Sequence, residues 1–398
     1  MLPLGLLLSA TLALVPPAPF QDAGAESAED GTTFLGLSGG WGGARQRLEE
    51  SGVTVGMSAI VELNRVLSGG LDRSCTGQAL YDLTIGLDLE RLAGIERGVI
   101  GFDAYVIDGH NPSFEVGDWQ SFSDISAGET EQIAELYYEQ GWRSLRLKLG
   151  KFDGNSEFGF PAAGGDGIHS SAVFSPTFFA MPVYPHPATG VLVGWTPRAE
   201  SYVNVAVMDG AGAEGVHTGT LGPSTFFGAP SDLFWIAETG QRWNAGESEL
   251  PGGIALGGWY HTGEFATSSG GTDRGTAGAY AMLDQGLPVG EESTLFLQLA
   301  GADEDVAPVD LHAGAGAVLR GLIAARPDDS FGGYATWAHF GTDPEFTETA
   351  ETALEVYYRW AVLPGLALLP DLQWILDPGG DASIDDALVF TLRATVDF

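Results

Sequence analysis

The feature that most narrows the fold is an apolar/polar period of two that recurs along the chain and never gives way to a long apolar helix. In the final stretch, Leu388, Phe390, Leu392, Ala394, Val396 and Phe398 alternate with Thr391, Arg393, Thr395 and Asp397, and only Val389 breaks the pattern. Such alternation describes a strand with one greasy face and one polar face. A surface strand of a soluble protein would read the same way. Soluble termini, however, are usually frayed and solvated, whereas here the apolar face runs through Phe398. A strand that closes a membrane barrel has a physical reason to stay apolar to its last residue.

The same period returns throughout the chain. Val53, Val55, Met57, Ala59, Val61 and Leu63 alternate with Thr54, Gly56, Ser58, Ile60, Glu62 and Asn64. Leu83, Ile85, Leu87 and Leu89 alternate with Thr84, Gly86, Asp88 and Glu90, and Phe102, Ala104 and Val106 with Asp103 and Tyr105. Leu136 and Tyr138 oppose Glu135, Tyr137 and Glu139, while Leu145, Leu147 and Leu149 oppose Arg146 and Lys148. Weaker segments from 188 onward bring the count to sixteen, an even number, as in bacterial single-chain barrels. Connections at 92–96, 141–143, 198–199 and 361–364 are short, whereas 109–129, 154–187 and 211–230 are long. Short turns at one end and long loops at the other are the pattern of an antiparallel transmembrane β-barrel. Loops of twenty or more residues are uncommon unless they work, which singles out 109–129 and 154–187.

Trp41–Ser51 is the one convincing helix signal, with Trp41, Arg45 and Leu48 at helical spacing and Gly52 to end it. Before it, apolar Leu2–Val15 followed by Pro16, Pro17 and Ala23-Gly24-Ala25 reads as a signal segment over 1–25, although it lacks a basic residue. The expected organisation is therefore a signal over 1–25, a periplasmic segment with a short helix over 26–51, and a barrel over 52–398. Beyond the signal, no run approaches the roughly 20 apolar residues of a transmembrane helix. The expected location is the outer membrane, with both termini periplasmic and outer-membrane lipid around the barrel.

Charge decides which face meets lipid. An Arg or Lys on the lipid face near the midplane costs roughly 2–4 kcal/mol. Arg146 and Lys148 therefore face inward and the leucines outward. The same reasoning turns Glu351, Glu355, Arg359, Asp371, Gln373 and Arg393 inward, and Leu354, Val356, Tyr358, Trp360, Leu372, Trp374 and Leu392 outward. Trp142, Trp195, Trp360 and Trp374 near strand ends fit interfacial girdles. A barrel of this strand number encloses a watery lumen.

With 53 acidic and 17 basic residues the chain carries a formal charge of -36, which argues against nucleic acid as a partner and against anionic solutes. The single Cys75 excludes an internal disulfide, and the seven histidines form no close pair that would hold a metal. No cofactor motif is present. The 58 glycines, close to twice the usual roughly 7% share, suggest tight turns and glycines tucked into strands.

At SGGWGGARQRLEESGVTVGMSAIVELNRVLSGGL (Ser38 onward) the chain resembles the opening of the carbohydrate-selective porin family, called OprB type. YDLTIGLDLERLAGIERG, LYYEQGWRSLRLKLGKFDGNSEF and PVYPHPATGVLVGWTPRAESYVNVAVMDG resemble the same family. The resemblance implies a monomeric outer-membrane barrel that admits sugars by passive diffusion, with inward-folded loops narrowing the pore. It also implies that Arg146, Lys148, Lys151 and Asp153 around Gly-Lys-Phe-Asp, with Glu135 and Glu139 beside them, are candidates for sugar contact. A terminal Phe398 resembles the signal read by the outer-membrane assembly machinery.

Neutral sugars present hydroxyls and apolar ring faces. Arg and Lys supply donors, Asp and Glu acceptors, and aromatic rings supply plates. The pore-lining candidates are Glu135, Tyr137, Glu139, Arg146, Lys148, Lys151, Asp153, Glu351, Glu355, Arg359 and Arg393. Charge balance along the wall would explain the ionic ones equally well. Tyr137 and Tyr105 suit wall lining more than stacking, and Phe152 suits packing of the long loop. Three other functions stay open: a cation-preferring porin without sugar selectivity, an outer-membrane hydrolase, and a secreted sugar-binding β protein. No hydrolase motif supports an enzyme.

Overall fold

The structure, a computed structural model, describes residues 36–216, 231–245, 250–290, 292–342 and 346–398. The signal segment expected over 1–25 and most of the connection 211–230 lie outside the described residues. The first eight strands are β1 (Val53–Ser68), β2 (Cys75–Asp88), β3 (Gly98–Gly109), β4 (Thr130–Trp142), β5 (Leu145–Phe152), β6 (Ala188–Arg198), β7 (Ser201–Asp209) and β8 (Leu233–Ala245). The next four are β9 (Leu250–Ala266), β10 (Thr272–Gly286), β11 (Thr294–Ala302) and β12 (Val309–Arg320). The last four are β13 (Ser330–Phe340), β14 (Ala350–Leu363), β15 (Leu366–Leu376) and β16 (Ala387–Asp397).

Each strand pairs antiparallel with its neighbours, and β16 returns to β1 to close a barrel of sixteen strands, the number read from the period of two. At the closing seam Ala59 faces Val396, Glu62 faces Arg393 and Leu63 faces Leu392. Closure leaves no strand edge with unpaired amides and carbonyls, which hydrocarbon could not satisfy.

The helix read at Trp41–Ser51 is present as a 3-10 turn (Trp41–Gly43) followed by α1 (Ala44–Ser51). It sits under the seam. The Arg45 guanidinium donates to the carbonyl of Phe398 at 2.8 Å and to that of Val55 at 3.2 Å, and the Phe398 amide donates to Met57 O at 2.9 Å. Two further short helices were not read from the sequence, α2 (Leu89–Ala93) and α3 (Ser113–Val116). In α2 the Asp88 carboxylate accepts the amides of Glu90 and Arg91, and left-handed Gly94 stops the helix. One capped turn is too short to show a 3.6-residue period, so a plain turn at 92–96 was expected instead.

The lipid-facing side follows the parity read from charge. Leu63, Leu136, Leu145, Leu299, Leu354, Val356 and Leu372 are exposed on the outer face, while Lys148, Glu351, Glu355, Asp371, Gln373 and Arg393 are buried inside. Exposed Trp142, Trp195 and Trp360 mark the end with short turns. Exposed Trp235, Tyr260, Trp337 and Trp374 mark the end with long loops. These are two girdles. One bulge sets the parity of β4: the pairing of β3 with β4 shifts between Asp103 and Ala104, so both Ile133 and Leu136 face out.

Glycines tucked into strands have a specific partner. Tyr137 stands directly across from Gly101, Tyr202 from Gly240, Tyr280 from Gly257 and Tyr357 from Gly332. In each pair a methyl on the glycine would sit 2.1–2.3 Å from the closest ring atom. The rings therefore lie flat on the inner wall, in space that only glycine leaves free. At Gly257 the overlying Tyr280 is also buried and donates to Glu238 at 2.8 Å, so it cannot swing away freely. Gly257→Ala is expected to lower barrel stability by about 1–3 kcal/mol. Gly253→Ala on the same face meets nothing closer than 3.6 Å and should be near neutral. Heat-modifiable gel migration of the two variants checks this.

Candidate functional site

The long β3–β4 loop (110–129) and β5–β6 loop (153–187) fold into the barrel, and inward-facing carboxylates of the wall receive them. Glu351 of β14 accepts the amides of Trp119 at 2.8 Å and Gln120 at 2.9 Å, and that of Gly379 at 2.7 Å. Glu355, two places further along the inward face of the same strand, accepts the amides of Ile168 at 2.7 Å and His169 at 3.2 Å. Glu238 of β8 accepts the Gly159 amide at 2.9 Å, and Glu135 of β4 accepts the Asp153 amide at 2.8 Å. A loop inside a barrel carries backbone donors away from water, and each must find an acceptor. Wall carboxyl groups offer two acceptor oxygens each for that purpose.

Apolar packing completes the docking. Phe152, Phe158, Phe178, Leu192, Phe234, Trp259 and Tyr280 form one buried cluster between the β5–β6 loop and the wall. Val66, Val116, Phe122, Ile375 and Val389 form another beneath the β3–β4 loop. Burying a Phe side chain such as Phe122 is worth roughly 1.5–3 kcal/mol. The inner wall thus meets the loops with both carboxylates and apolar side chains.

The Arg393 guanidinium ties the seam to the loop. It donates to Glu62 across the β1–β16 pair at 2.7 Å and to Asp124 of the β3–β4 loop. Glu62 also accepts from Gln78 at 2.7 Å and from Ser123 at 2.9 Å, so its acceptor positions are well used. Burial pushes the Asp124 carboxyl up, and Arg393 opposes that shift. Burial, with the Glu351 carboxylate beside it, also pushes Asp118 up to about 8.

A second ionic cluster lies where the family-like segment was read. Glu157, from the loop, accepts from Lys148 at 2.8 Å and from Arg146, while Arg146 also faces Glu139 at 3.6 Å. Burial raises Glu157, but Lys148 and Arg146 outweigh it and hold the carboxyl below its usual value. The Lys148 ammonium sits 3.8 Å above the Tyr137 ring centroid and 5.2 Å from that of Phe152.

The sequence candidates therefore separate by position. Glu135 and Asp153 brace the loop, Asp153 by accepting the amides of Asn155, Ser156 and Tyr184, whereas Lys151 ties β5 to β4 by donating to Gln132 and to the Ile133 carbonyl. Glu351, Glu355 and Arg393 face inward as read, but the loops cover them. Tyr105 is buried and donates to Pro185 O at 2.7 Å, and Phe152 packs the loop. Arg359 lies toward the short-turn end, across from Ser330. Glu139, Arg146 and Tyr137 stay only partly covered. Sequence reasoning missed Glu62, Asp124, Glu157, Glu238 and Tyr202. Glu62 and Tyr202 lie in strand segments with the right parity, while Asp124 and Glu157 lie in loops that carry no periodic signal.

A closed sixteen-stranded barrel with outward apolar belts, lumenal charge and its own loops folded inside is a membrane channel of the porin class. The family model for the carbohydrate-selective porin, OprB family, matches residues 76–398, and the chain belongs to that family. It is 25% identical over 423 residues to Porin B of Pseudomonas aeruginosa, with 90% of each chain covered. In fold it is similar to the high-pH structure of Pseudomonas putida OprB, with a TM-score of 0.82 at 20% identity, covering 92% of this chain and 98% of that one. The low-pH structure of the same protein gives a TM-score of 0.60 at 17% identity with the same coverage. The family is one of channels, not of enzymes.

Two outcomes follow from the docking geometry. Arg393→Met leaves two carboxylates buried without their cation, which is expected to cost about 3–5 kcal/mol and to release the β3–β4 loop. Single-channel recordings should then show higher and noisier conductance. A free Asp carboxyl titrates near 3.8 and the docked Asp118 near 8. The docking stability it contributes is therefore complete below about pH 4 and is lost as pH rises to about 8. Hydrogen exchange at the Trp119, Gln120 and Phe122 amides should accelerate over that window beyond its intrinsic rise, and Asp118→Asn should remove the extra acceleration.

Proposed function

We propose that neutral mono- and small oligosaccharides diffuse through the part of the lumen that the two loops leave open, along the wall of β4 to β8. One observation carries this reading. Arg146, Gly194 and Asn204 stand directly across from one another on three successive strands, in a row that sets a donor beside an amide able to donate and accept. Gly194 keeps the row open: a methyl there would come within 2.8 Å of the Asn204 side-chain oxygen. Two partly covered rings flank the row. Tyr137 lies under Lys148, and Tyr202 donates to Glu238 at 2.7 Å with Arg242 5.8 Å from its ring centroid. Polar pairs beside aromatic plates suit sugar hydroxyls and ring faces, and several weak contacts let a solute leave as well as enter. The formal charge of -36 supports exclusion of anions.

In this reading the barrel works singly in an outer membrane, with α1 and the short turns in the periplasm. Arg45 and Met57 hold the Phe398 backbone while its side chain stays partly exposed, which leaves that ring available to the assembly machinery.

Liposome swelling tests the proposal. Glucose should enter clearly faster than gluconate. Equal rates would remove the anion exclusion and favour unselective diffusion, and no entry by either through a folded barrel would remove the sugar pathway. Tyr202→Ala should weaken sugar block of the ion current about 2- to 10-fold, as expected for loss of one ring contact. Phe398→Ala should reduce the amount of assembled barrel far more than it alters conductance.

A further inference from the structure

The turn end of the barrel carries a feature that solute passage does not use. A groove of roughly 760 Å³ runs between the α2–β3 turn and the β4–β5 turn. Its apolar side is Ile95, Trp142 and Leu145, all exposed on the side of the barrel that faces lipid. Its polar side holds Arg97 and Arg143, with Glu96 the one carboxylate among the lining residues. Hydrogen bonds join the two turns: the Gly141 amide donates to Arg97 O at 3.0 Å, and the Gln140 side chain donates to Glu96 O at 2.8 Å. The groove is therefore preformed.

Both guanidiniums lack an acidic partner among the described residues, in a chain with 53 acidic and 17 basic residues. Arg146, Arg320, Arg326 and Arg393 all have one. Arg97 and Arg143 also hold left-handed backbone, with φ of 56° and 45°, where glycine would relieve the strain and a β-carbon adds to it. Arginine at such positions is explained by what its side chain does. Here it stands at the level of an interfacial tryptophan, where a phosphate group of the leaflet would lie.

We propose that this groove binds one anionic glycerophospholipid, its phosphate between Arg97 and Arg143 and its acyl chains along Ile95, Trp142 and Leu145. The inference rests on the membrane placement given above. Two cations match one phosphate through fork-shaped bidentate bonds that an ammonium cannot make. The net excess of one positive charge in the groove, counting Glu96, selects an anionic headgroup over a zwitterionic one.

Native mass spectrometry of the detergent-solubilised barrel, given equal amounts of phosphatidylglycerol and phosphatidylcholine with identical chains, tests this. Wild type should retain one phosphatidylglycerol with a preference on the order of 10-fold, the size expected for two basic residues at a lipid surface. Arg97→Gln with Arg143→Gln should bring that preference close to one, and the paired lysine variant should keep an intermediate value. Arg47→Gln, on exposed α1, should leave the preference intact. No preference in wild type, no loss in the glutamine pair, or an equal loss in Arg47→Gln would each overturn the proposal. If the glutamine pair does not assemble, Arg143→Gln alone should lose part of the preference, and full retention would overturn it. Glucose swelling measured on the same preparations separates the two readings, because its failure with lipid preference intact would count against the channel alone.

Discussion

Everything in this barrel depends on its sheet closing. In hydrocarbon each amide and carbonyl must be satisfied within the chain, and only the return of β16 onto β1 removes the last two edges. The seam is reinforced at three levels. Alternating apolar residues cover it outside, the Glu62–Arg393 pair locks it inside, and Arg45 of α1 holds its lower corner through Phe398. The inner lock also reaches Asp124, so the element that closes the barrel is the one that anchors the loop.

The same requirement explains the acidity of the inner wall. A loop drawn into the lumen brings backbone donors that the strands cannot serve, because strand groups are used up in the ladder. Glu135, Glu238, Glu351 and Glu355 serve them instead. Much of the carboxylate that looks like pore charge in the sequence is therefore mechanical. Among the charged candidates read from the sequence, Glu139 and Arg146 stay partly uncovered. Glycine has an equally physical place: Gly101, Gly240, Gly257 and Gly332 clear the space in which cross-strand tyrosine rings lie flat. A barrel lumen narrowed by loops has little room for rings that stand upright.

How much was legible depends on whether a residue's role is local. Lys148 and Arg146 could be turned inward from sequence because the cost of charge in lipid does not depend on what lies opposite. Their shared partner, Glu157, could not be read, because it arrives from a loop without periodicity. Glu351 was placed inward correctly, yet its three backbone donors come from residues 119, 120 and 379, which only the folded loops bring together. Asp153 shows the limit from the other side. Its place beside Lys151 suggested a sugar contact, whereas its carboxylate is taken up by the amides of Asn155, Ser156 and Tyr184.

By itself the sequence determined the strands, their number, the lipid-facing parity and the distinction between short turns and long loops. A period of two and the price of charge in hydrocarbon act residue by residue and need no knowledge of neighbours. Tertiary structure alone decided which inward charges hold loops and which face the open lumen. That choice depends on where 110–129 and 153–187 descend, and their path is set by pairings such as Asp124 with Arg393 and Ile168 with Glu355 between residues distant in sequence.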